Sequence, residues 1–384
     1  MNSKSIWLVN IGEPLPTEGN KPHRMSNWKL LLEDDGHNVK YITTNFEHQR
    51  KNWINVDLNG YVALNSFFSY KNNISIGRLL NHFCISLSFV FYLIKNKEKP
   101  SLIIVSYPTI LLSFVAVLYG CLTKVKIFVD VRDKWPDIFE INYLVSPFLI
   151  FHKLIKFFIF KYSSFTLAVS PKYLSWATKK TKNVDFIPLS KPYIKPLVRV
   201  LDMSKEVNFI FSGSLGDTYN LDLIFKFSES FTNKKIKHKV YVCGDGPKMT
   251  SLQVMKKNNP NVILLGWLNN IDLQAQLDKA HFGLMFYNQN SPQGWPNKLI
   301  EYMSNGLPII NTLNGESSDL IESLELGFNI NDLSITQTSD LIIEIIESPE
   351  KYKRISNNNY SLFLKDFTEE KAYTKLKTII NNYV

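Results

Sequence analysis

Short apolar runs alternate with longer amphipathic stretches along most of the chain. Apolar runs bounded by glycine, proline or asparagine predict buried strands, and the longer stretches predict helices. Strands are predicted at residues 6–10, 39–43, 101–106, 126–130, 165–169 and 184–187 in the first half, and at 207–212, 239–243, 262–265, 282–286 and 309–311 in the second. Helices are predicted at residues 24–35, 76–95, 146–162, 221–231, 272–280, 297–304, 318–323 and 368–383. Strand–helix–strand order starts twice, which predicts two α/β units.

The chain of 384 residues is too long for one ordinary domain. Pro188, Pro192 and Pro196 predict the linker between two doubly wound, Rossmann-like α/β domains. We expect a first domain over 1–190 and a second over 191–366, with a helix at 367–384 folding back onto the first.

Two apolar segments allow a membrane interpretation. Residues 101–123 carry no charge and could span a bilayer, or they could form a buried strand and a buried helix around the turn at Tyr107-Pro108. Residues 145–162 form an aromatic helix with His152 and three lysines. It could lie in a membrane interface, or it could be a buried helix with extended lysines.

The first half carries the excess positive charge. Residues 1–190 hold 23 Lys and Arg against 13 Asp and Glu, whereas residues 191–384 hold 21 of each, so the net +10 belongs to the first half. This predicts an anionic ligand or surface there. No helix-turn-helix, zinc-finger or RNP-type pattern occurs, so we expect no nucleic acid, and an anionic membrane surface is favoured.

Cysteine use and the N-terminus indicate the compartment. Cys84, Cys121 and Cys243 lie far apart, which is typical of a reducing compartment and gives neither a disulfide framework nor a metal-ligand spacing. The apolar run at 6–11 is too short for a signal peptide and is followed by Glu13. We expect a cytoplasmic protein, peripheral at the inner face of the plasma membrane.

Residues 293–310 combine a turn, a short helix and a strand. Gly294 predicts the turn, and Pro296 lies where a first helical turn tolerates proline. Lys298 and Glu301 are three residues apart and share one helix face. A carboxylate can accept two hydroxyl protons and a helix N-terminus favours anions, so a polyhydroxylated, phosphorylated ligand is predicted. The alternative is a surface helix with a solvated charge pair.

Two further loops follow predicted strands. Gly213-Ser214-Leu215-Gly216 precedes a helix, so its backbone N–H groups could cradle phosphate; the alternative is a plain turn. Arg132 and Asp133 follow the strand at 126–130, at the edge where clefts form in such sheets. The alternative there is an ordinary surface ion pair.

Four segments of the second half, in order, resemble a family 4 glycosyltransferase of the GT-B fold. They are Phe-Ser-Gly-Ser-Leu-Gly at 211–216, Cys-Gly-Asp-Gly-Pro at 243–247, Val-Ile-Leu-Leu-Gly-Trp at 262–267 and Pro-Asn-Lys-Leu-Ile-Glu-Tyr-Met-Ser-Asn-Gly-Leu-Pro at 296–308. The hexapeptide Val-Arg-Asp-Lys-Trp-Pro at 131–136 is similar to the branch acting on bacterial O-antigen and capsule, which includes N-acetylfucosamine transferases.

The resemblance implies retaining transfer of a sugar from a nucleotide-sugar onto an acceptor, with two domains facing across a cleft. Glu301 would bind the donor ribose, and main-chain amides with Lys298 would take the charge that grows on the diphosphate. The implied donor-binding residues are Gly213, Ser214, Gly216, Gly244, Trp267, Gly294, Trp295 and Glu301. The implied catalytic residues are Arg132, Asp133, Gln293 and Lys298.

The resemblance also implies the partners. The donor is UDP- or GDP-linked, and the acceptor is a glycan, lipid-linked by expectation, in bacterial surface polysaccharide biosynthesis. No Asp-x-Asp sequence occurs, so we expect no metal and no cofactor.

The sequence departs from the family pattern at two places. Gln293 stands where the family has the first of two glutamates eight apart, and Asp217, Thr218 and Tyr219 stand where many members carry Arg and Lys. A GT-B sugar-nucleotide epimerase and a non-catalytic nucleotide-sugar-binding protein therefore stay as alternatives.

Overall fold

The computed structural model describes residues 3–16, 23–48, 50–72, 75–134, 147–193, 206–288, 291–330 and 333–384, with the backbone alone at 147–149. The chain divides into two compact units: Met1–Pro188 with Tyr373–Val384, and Leu189–Ala372. Pro188 thus ends the first continuous segment. Pro196 and the Trp135-Pro136 part of the hexapeptide lie outside the described residues.

The first unit is built on a parallel sheet. Among the described residues seven strands pair in the order β5-β2-β1-β6-β7-β8-β9. They are β1 (Ser5–Val9), β2 (Asn38–Thr44), β5 (Tyr61–Leu64), β6 (Leu102–Tyr107), β7 (Lys126–Val131), β8 (Phe165–Ala168) and β9 (Val184–Phe186), and β3 (Phe46–Glu47) and β4 (Asn52–Trp53) form a separate antiparallel pair. The first half is therefore an α/β unit with a parallel sheet, as predicted.

Helices connect these strands. They are α1 (Arg24–Asp34), α2 (Ile76–Lys95), α3 (Ile110–Thr123), α4 (Pro147–Tyr162) and α5 (Pro171–Thr178). The transmembrane interpretation of 101–123 is wrong, because the segment forms β6, whose residues are buried in the sheet, and then the 14-residue α3. Within the described residues, α2 is the helix long and apolar enough to cross a membrane by length and composition.

The second unit repeats the design. Its described strands pair in the order β12-β11-β10-β13-β14-β15, all parallel. The strands are β10 (Val207–Ser212), β11 (His238–Cys243), β12 (Val262–Gly266), β13 (Phe282–Met285), β14 (Ile309–Asn311) and β15 (Gly327–Asn329). The helices are α6 (Asp222–Asn233), α7 (Met249–Lys256), α8 (Asn270–Lys279), α9 (Asn297–Ser304), α10 (Glu316–Ser323), α11 (Ile335–Ile346) and α12 (Pro349–Leu362), which continues into a π-helical turn at Phe363–Phe367.

The last helix, α13 (Glu369–Tyr383), begins in the second unit, and its residues from Tyr373 onward belong to the first. The Tyr373 hydroxyl donates to the Leu31 carbonyl, 2.9 Å away, and Lys377 Nζ lies 2.9 Å from the Asp35 carboxylate. The Tyr383 ring packs edge-on against Phe165. These contacts hold the C-terminal segment against the end of α1 and against β8.

The structure adds elements that the sequence pattern did not predict. Residues 45–75 contain the β3–β4 pair and β5, which forms one edge of the seven-stranded sheet. Three of the four β5 residues are only half-buried, so their hydrophobic pattern is weak. An edge strand of this kind is defined by its pairing with β2 rather than by its own residues.

Candidate active site

Helix α9 is held against the sheet of the second unit by Tyr302. Its hydroxyl accepts from the Ser212 N–H at 3.2 Å and can donate to the Leu284 carbonyl at 3.2 Å. A Cβ at Gly283 would lie 2.4 Å from the Tyr302 ring, so glycine is required where β13 passes under the helix. Tyr302 thereby fixes the side chains one and four residues earlier on α9, which are Glu301 and Lys298.

Both carboxylate oxygens of Glu301 have partners. Oε2 accepts from Ser212 Oγ at 2.6 Å, and Oε1 accepts from Lys191 Nζ at 3.2 Å. Burial by itself raises the pKa of Glu301, but the charge of Lys191, the hydrogen bonds from Ser212 and Lys191, and the charge of Lys298 hold that pKa below its ordinary value. Glu301 is therefore an ionised carboxylate near the end of β10.

Lys298 is buried directly beneath the glycine loop. Its Nζ lies 4.4 Å from the centre of the Phe211 ring and 4.0 Å from that of Tyr219. Burial lowers the pKa of Lys298 to about 7, although the charge of Glu301 acts to raise it. A Cβ at Gly213 would lie 2.1 Å from this Nζ, so a larger residue there would displace the amine. The alternative of a solvated surface pair on α9 is wrong, because Lys298 is 4% exposed.

The loop 213–216 packs tightly against the turn after β11. The Gly213 N–H donates to the Cys243 carbonyl at 2.8 Å, and the Leu215 N–H donates to the Asp245 carbonyl at 2.9 Å. Gly213 has φ +140° and Gly244 has φ +155°, and a Cβ at Gly244 would lie 1.8 Å from the Gly213 carbonyl oxygen. Glycine is therefore required at position 244 so that the turn after β11 can contact the loop 213–216.

This packing corrects one predicted role. The Gly213 N–H is used inside the protein, so it is not a donor for a ligand diphosphate. Within the described residues, the backbone N–H groups of Ser214 and Gly216 have no hydrogen-bond acceptor, so these two amides remain as candidate donors. The Gly213 contribution is the space that it leaves for Lys298.

The remaining predicted donor residues differ in exposure. Trp267 follows β12 directly and is 65% exposed, so its ring is accessible for stacking. The Trp295 ring packs 5.4 Å from the Phe367 ring, which is a structural contact. The Gly294 carbonyl accepts from Ser317 Oγ at 2.6 Å, which fixes the turn before α9, and Gln293 is half-buried beside it.

The first unit contains a buried charge network at the ends of its central strands. Arg132 Nη1 donates to Glu13 Oε1, whereas Arg24 holds Asp130 through Nε and Nη2 at 3.2 and 3.1 Å. Burial by itself raises the pKa of Glu13, but Arg132 and other partners hold that pKa below its ordinary value. The alternative of an ordinary surface ion pair between Arg132 and Asp133 is wrong, because the ion-pair partner of Arg132 is Glu13.

Glu13 also caps α1. Its carboxylate accepts from the backbone N–H groups of Met25 at 3.2 Å and Ser26 at 3.4 Å. The protein's own carboxylate therefore occupies the anion-favouring end of this helix. Asp133 accepts from the Lys134 N–H at 2.6 Å. The acceptor-side roles of Arg132 and Asp133 stay predictions.

The structure brings Lys298 and Glu301 of the second unit to the glycine loop, and it adds residues that the motifs did not indicate. Ser212 and Lys191 are the partners of Glu301, while Tyr219 provides a ring over Lys298. Ser212 could have been found, because it is the last strand residue before the loop. In the described part of the chain, no three His, Cys, Asp or Glu side chains are placed to hold a metal ion.

Comparison with known proteins gives a family match for the second unit. Residues 199–362 match the family described as "Glycosyl transferases group 1". No curated protein sequence matches the chain.

Solved structures match nearly the whole chain at low identity. Sucrose-phosphate synthase from Thermosynechococcus elongatus has a TM-score of 0.71 at 12% identity, covering 99% of this chain and 98% of that one. HepE from Anabaena, in complex with UDP-glucose, has a TM-score of 0.67 at 12% identity, covering 99% and 100%. The lipopolysaccharide outer core galactosyltransferase WaaB has a TM-score of 0.62 at 14% identity, covering 99% and 100%.

At these identities the structures establish the fold, and the family match adds the class of chemistry. The chain has the fold of GT-B glycosyltransferases. Its second unit matches a glycosyl transferases group 1 domain over residues 199–362, which indicates glycosyl transfer as the class of reaction.

Proposed function

We propose that the protein is a retaining, family 4 glycosyltransferase that moves a hexosyl or N-acetylhexosaminyl group from a UDP-linked donor onto a lipid-linked glycan. One observation carries the proposal: a buried lysine and an ionised glutamate on one face of α9, beneath a glycine loop with two available amides. UDP is preferred to GDP because HepE, a structural neighbour, was solved with UDP-glucose.

The donor nucleotide would bind through Glu301. A carboxylate can accept from both ribose hydroxyls, and it would exchange its bonds to Lys191 and Ser212 for bonds to the ligand. Because the pKa of Glu301 lies below its ordinary value, the group is ionised at neutral pH. The exposed Trp267 ring would stack on the base.

The diphosphate would lie on the loop 213–216. The amides of Ser214 and Gly216 and the amine of Lys298 would stabilise the negative charge that develops on the leaving diphosphate as the glycosidic bond breaks. Lys298 supplies the positive charge that many family members take from Arg and Lys after this loop. Gln293 would donate and accept hydrogen bonds at the sugar hydroxyls without adding charge.

The proposed acceptor side lies in the first unit. We assign Arg132 and Asp133, which lie at the carboxyl end of β7 in the first unit, to the acceptor side. The acceptor is an O-antigen or capsule precursor on a lipid carrier. The enzyme works at the cytoplasmic face of the plasma membrane as a peripheral protein, and it needs no metal or cofactor.

Glu301→Gln tests the site. The glutamine amide keeps one oxygen that can accept from Ser212, but it lacks the negative charge and the second acceptor oxygen of the carboxylate. UDP affinity and transfer should therefore each fall by about 10- to 100-fold. Calorimetric titration with UDP and transfer of labelled sugar to lipid-linked oligosaccharide in detergent give the two readouts. Glu322→Gln, at an exposed position on α10, is the control.

The outcomes separate the alternatives. Unchanged UDP binding in Glu301→Gln would contradict the site assignment. Conversion of a UDP-sugar to its epimer without acceptor would indicate an epimerase. Tight UDP-sugar binding with no turnover on any lipid-linked acceptor would indicate a binding protein.

A further inference from the structure

Exposed apolar side chains are concentrated on three helices of the first unit. Of the 25 exposed large hydrophobic residues in the described part of the chain, 14 lie on α2, α3 and α4. They are Ile76, Leu79, Leu80, Phe83, Leu87, Phe91 and Ile94 on α2, Leu118 and Leu122 on α3, and Ile150, Phe151, Leu154, Phe157 and Tyr162 on α4. We call these residues the apolar face.

The three helices that carry the apolar face are neighbours, because α3 packs against both α2 and α4. The α2 members recur at intervals of three and four residues, so they form one stripe along a helix of 20 residues, about 30 Å long. The opposite side of α2 holds the buried Ile85, Phe89 and Leu93. Patches of this extent mark interaction sites in soluble proteins.

The charge on these helices has one sign. Residues of α2, α3 and α4 include five Lys and Arg and no Asp or Glu. Lys95, Lys153 and Lys161 are exposed, and Lys161 Nζ lies 5.3 Å from the centre of the Phe157 ring. Lys124 and Lys126, just past α3, are exposed as well. Apolar and aromatic side chains bordered by lysine are suited to anionic lipid, where the headgroups are negative and the acyl boundary is apolar.

We propose, resting on the lipid-linked acceptor of the proposed function, that the apolar face of α2, α3 and α4 docks the first unit on an anionic bilayer. The α2 stripe supplies the largest share of the contact, which extends the surface well beyond the aromatic helix at 145–162. The three helices lie on the membrane with their apolar side chains in the interface, and the lysines contact lipid headgroups.

The structure disfavours two other uses of this face. A symmetric contact between two copies would bring the same lysines together without an acidic residue to offset them. A spanning α2 would have to leave the unit, yet Asn81 Nδ2 donates to Ser66 Oγ at 2.9 Å and to the Phe68 carbonyl at 2.5 Å, which ties the helix to the preceding loop. An interfacial position keeps these contacts.

Vesicle co-sedimentation of the full chain tests the proposal. Vesicles of phosphatidylcholine alone are compared with vesicles that also contain phosphatidylglycerol. Wild-type protein should pellet with the anionic vesicles, and about 0.5 M salt should weaken binding. Phe83→Asn with Phe91→Asn should reduce binding about tenfold. Val254→Asn with Ile271→Asn, at exposed apolar positions of the second unit, should bind like wild type.

A second pair separates the charge contribution. Lys95→Glu with Lys161→Glu should remove the preference for anionic vesicles. The phenylalanine pair and the lysine pair should both keep the wild-type melting temperature and the wild-type UDP affinity in calorimetry, because the proposed UDP site lies in the second unit. Those two readouts exclude misfolding as the cause of lost sedimentation.

Each outcome decides something. Wild-type protein that stays in the supernatant with anionic vesicles overturns the proposal, as does a phenylalanine double variant that binds like wild type. A wild-type dimer in sedimentation velocity that the same double variant dissociates, without vesicle binding, assigns the face to self-association and overturns it too. Vesicle binding without UDP binding would refute the proposed function and leave the docking surface in place.

Discussion

Replacing Lys298 by methionine should make the protein more stable and a weaker UDP binder. Lys298 is 4% exposed, and its amine lies among the rings of Phe211 and Tyr219 beneath Gly213. Methionine has a similar volume and no charge, so it fills the same space without desolvating an ammonium group. A buried cation that destabilises the fold is expected where a ligand's negative charge will meet it.

The magnitude follows from the pKa. Burial lowers the pKa of Lys298 from 10.5 to about 7, and a difference of about 3.5 corresponds to about 5 kcal/mol of destabilisation when the amine is protonated. Contact with the aromatic rings offsets part of this cost. We therefore expect Lys298→Met to raise the free energy of unfolding by about 2–3 kcal/mol at pH 6. UDP affinity should fall about 100-fold, or ~3 kcal/mol, the contribution of a strong charged hydrogen bond.

The pH dependence has a definite sign. Below pH 7 the amine is protonated in both the folded and unfolded states, and the full cost is present. Between pH 7 and 10.5 the unfolded chain binds a proton that the folded protein does not, so wild-type stability rises with pH. The advantage of Lys298→Met should shrink over this range. Wild-type affinity for UDP should fall as the pH rises above 7, and that of the variant should not.

Urea unfolding at pH 6 and pH 9, with calorimetric UDP titration at both, measures these effects. Lys226→Met, at an exposed position on α6, is the control and should match wild type in both assays. A Lys298→Met protein that is less stable than wild type at both pH values, or one that binds UDP with wild-type affinity, would refute the reasoning.

Three further predictions test the proposed donor site and the metal-independent reaction. Gly213→Ala should lower UDP affinity by at least about tenfold in titration, because its Cβ would displace the Lys298 amine. The control is Gly36→Ala, which is also at positive φ but has open space around it. This variant should change stability by about 1 kcal/mol and leave UDP affinity unchanged. Lys191→Met should raise the pKa of Glu301 and move the acid limb of the pH–rate profile to higher pH; an unmoved limb would contradict the role given to the ion pair. Transfer in excess EDTA should proceed at the untreated rate, and loss that Mg²⁺ restores would contradict a metal-independent reaction.

The local elements of this fold could be predicted from sequence because each is encoded by its own residues. The buried strand Leu102–Tyr107 starts with four consecutive apolar residues. Helix Asn297–Ser304 begins after a proline and ends two residues before a glycine at positive φ. The edge strand Tyr61–Leu64 could not be predicted in this way, since its pairing partner rather than its hydrophobicity defines it.

The site was predicted as a set of residue types but not as an arrangement. The motif residues Lys298 and Glu301 were identified, whereas Lys191, which lies 110 residues before Glu301, has no local pattern that links it to the carboxylate. The predicted use of the Gly213 amide failed for the same reason. Its hydrogen bond goes to Cys243, a partner that only the packing of two strands supplies.

The sequence by itself determined the two α/β units, the central strands of both sheets, the placement of charge in the first half, and the glycine and α9 motifs of the second. The tertiary structure alone decided that the amine of Lys298 is buried under Gly213, that Arg132 pairs with Glu13, and that three separate helices share one exposed apolar face. The physical reason is the range of the interactions. Helix caps, turns and apolar periodicity act within a few residues, whereas burial, pKa and surface continuity depend on side chains that folding brings together from distant positions.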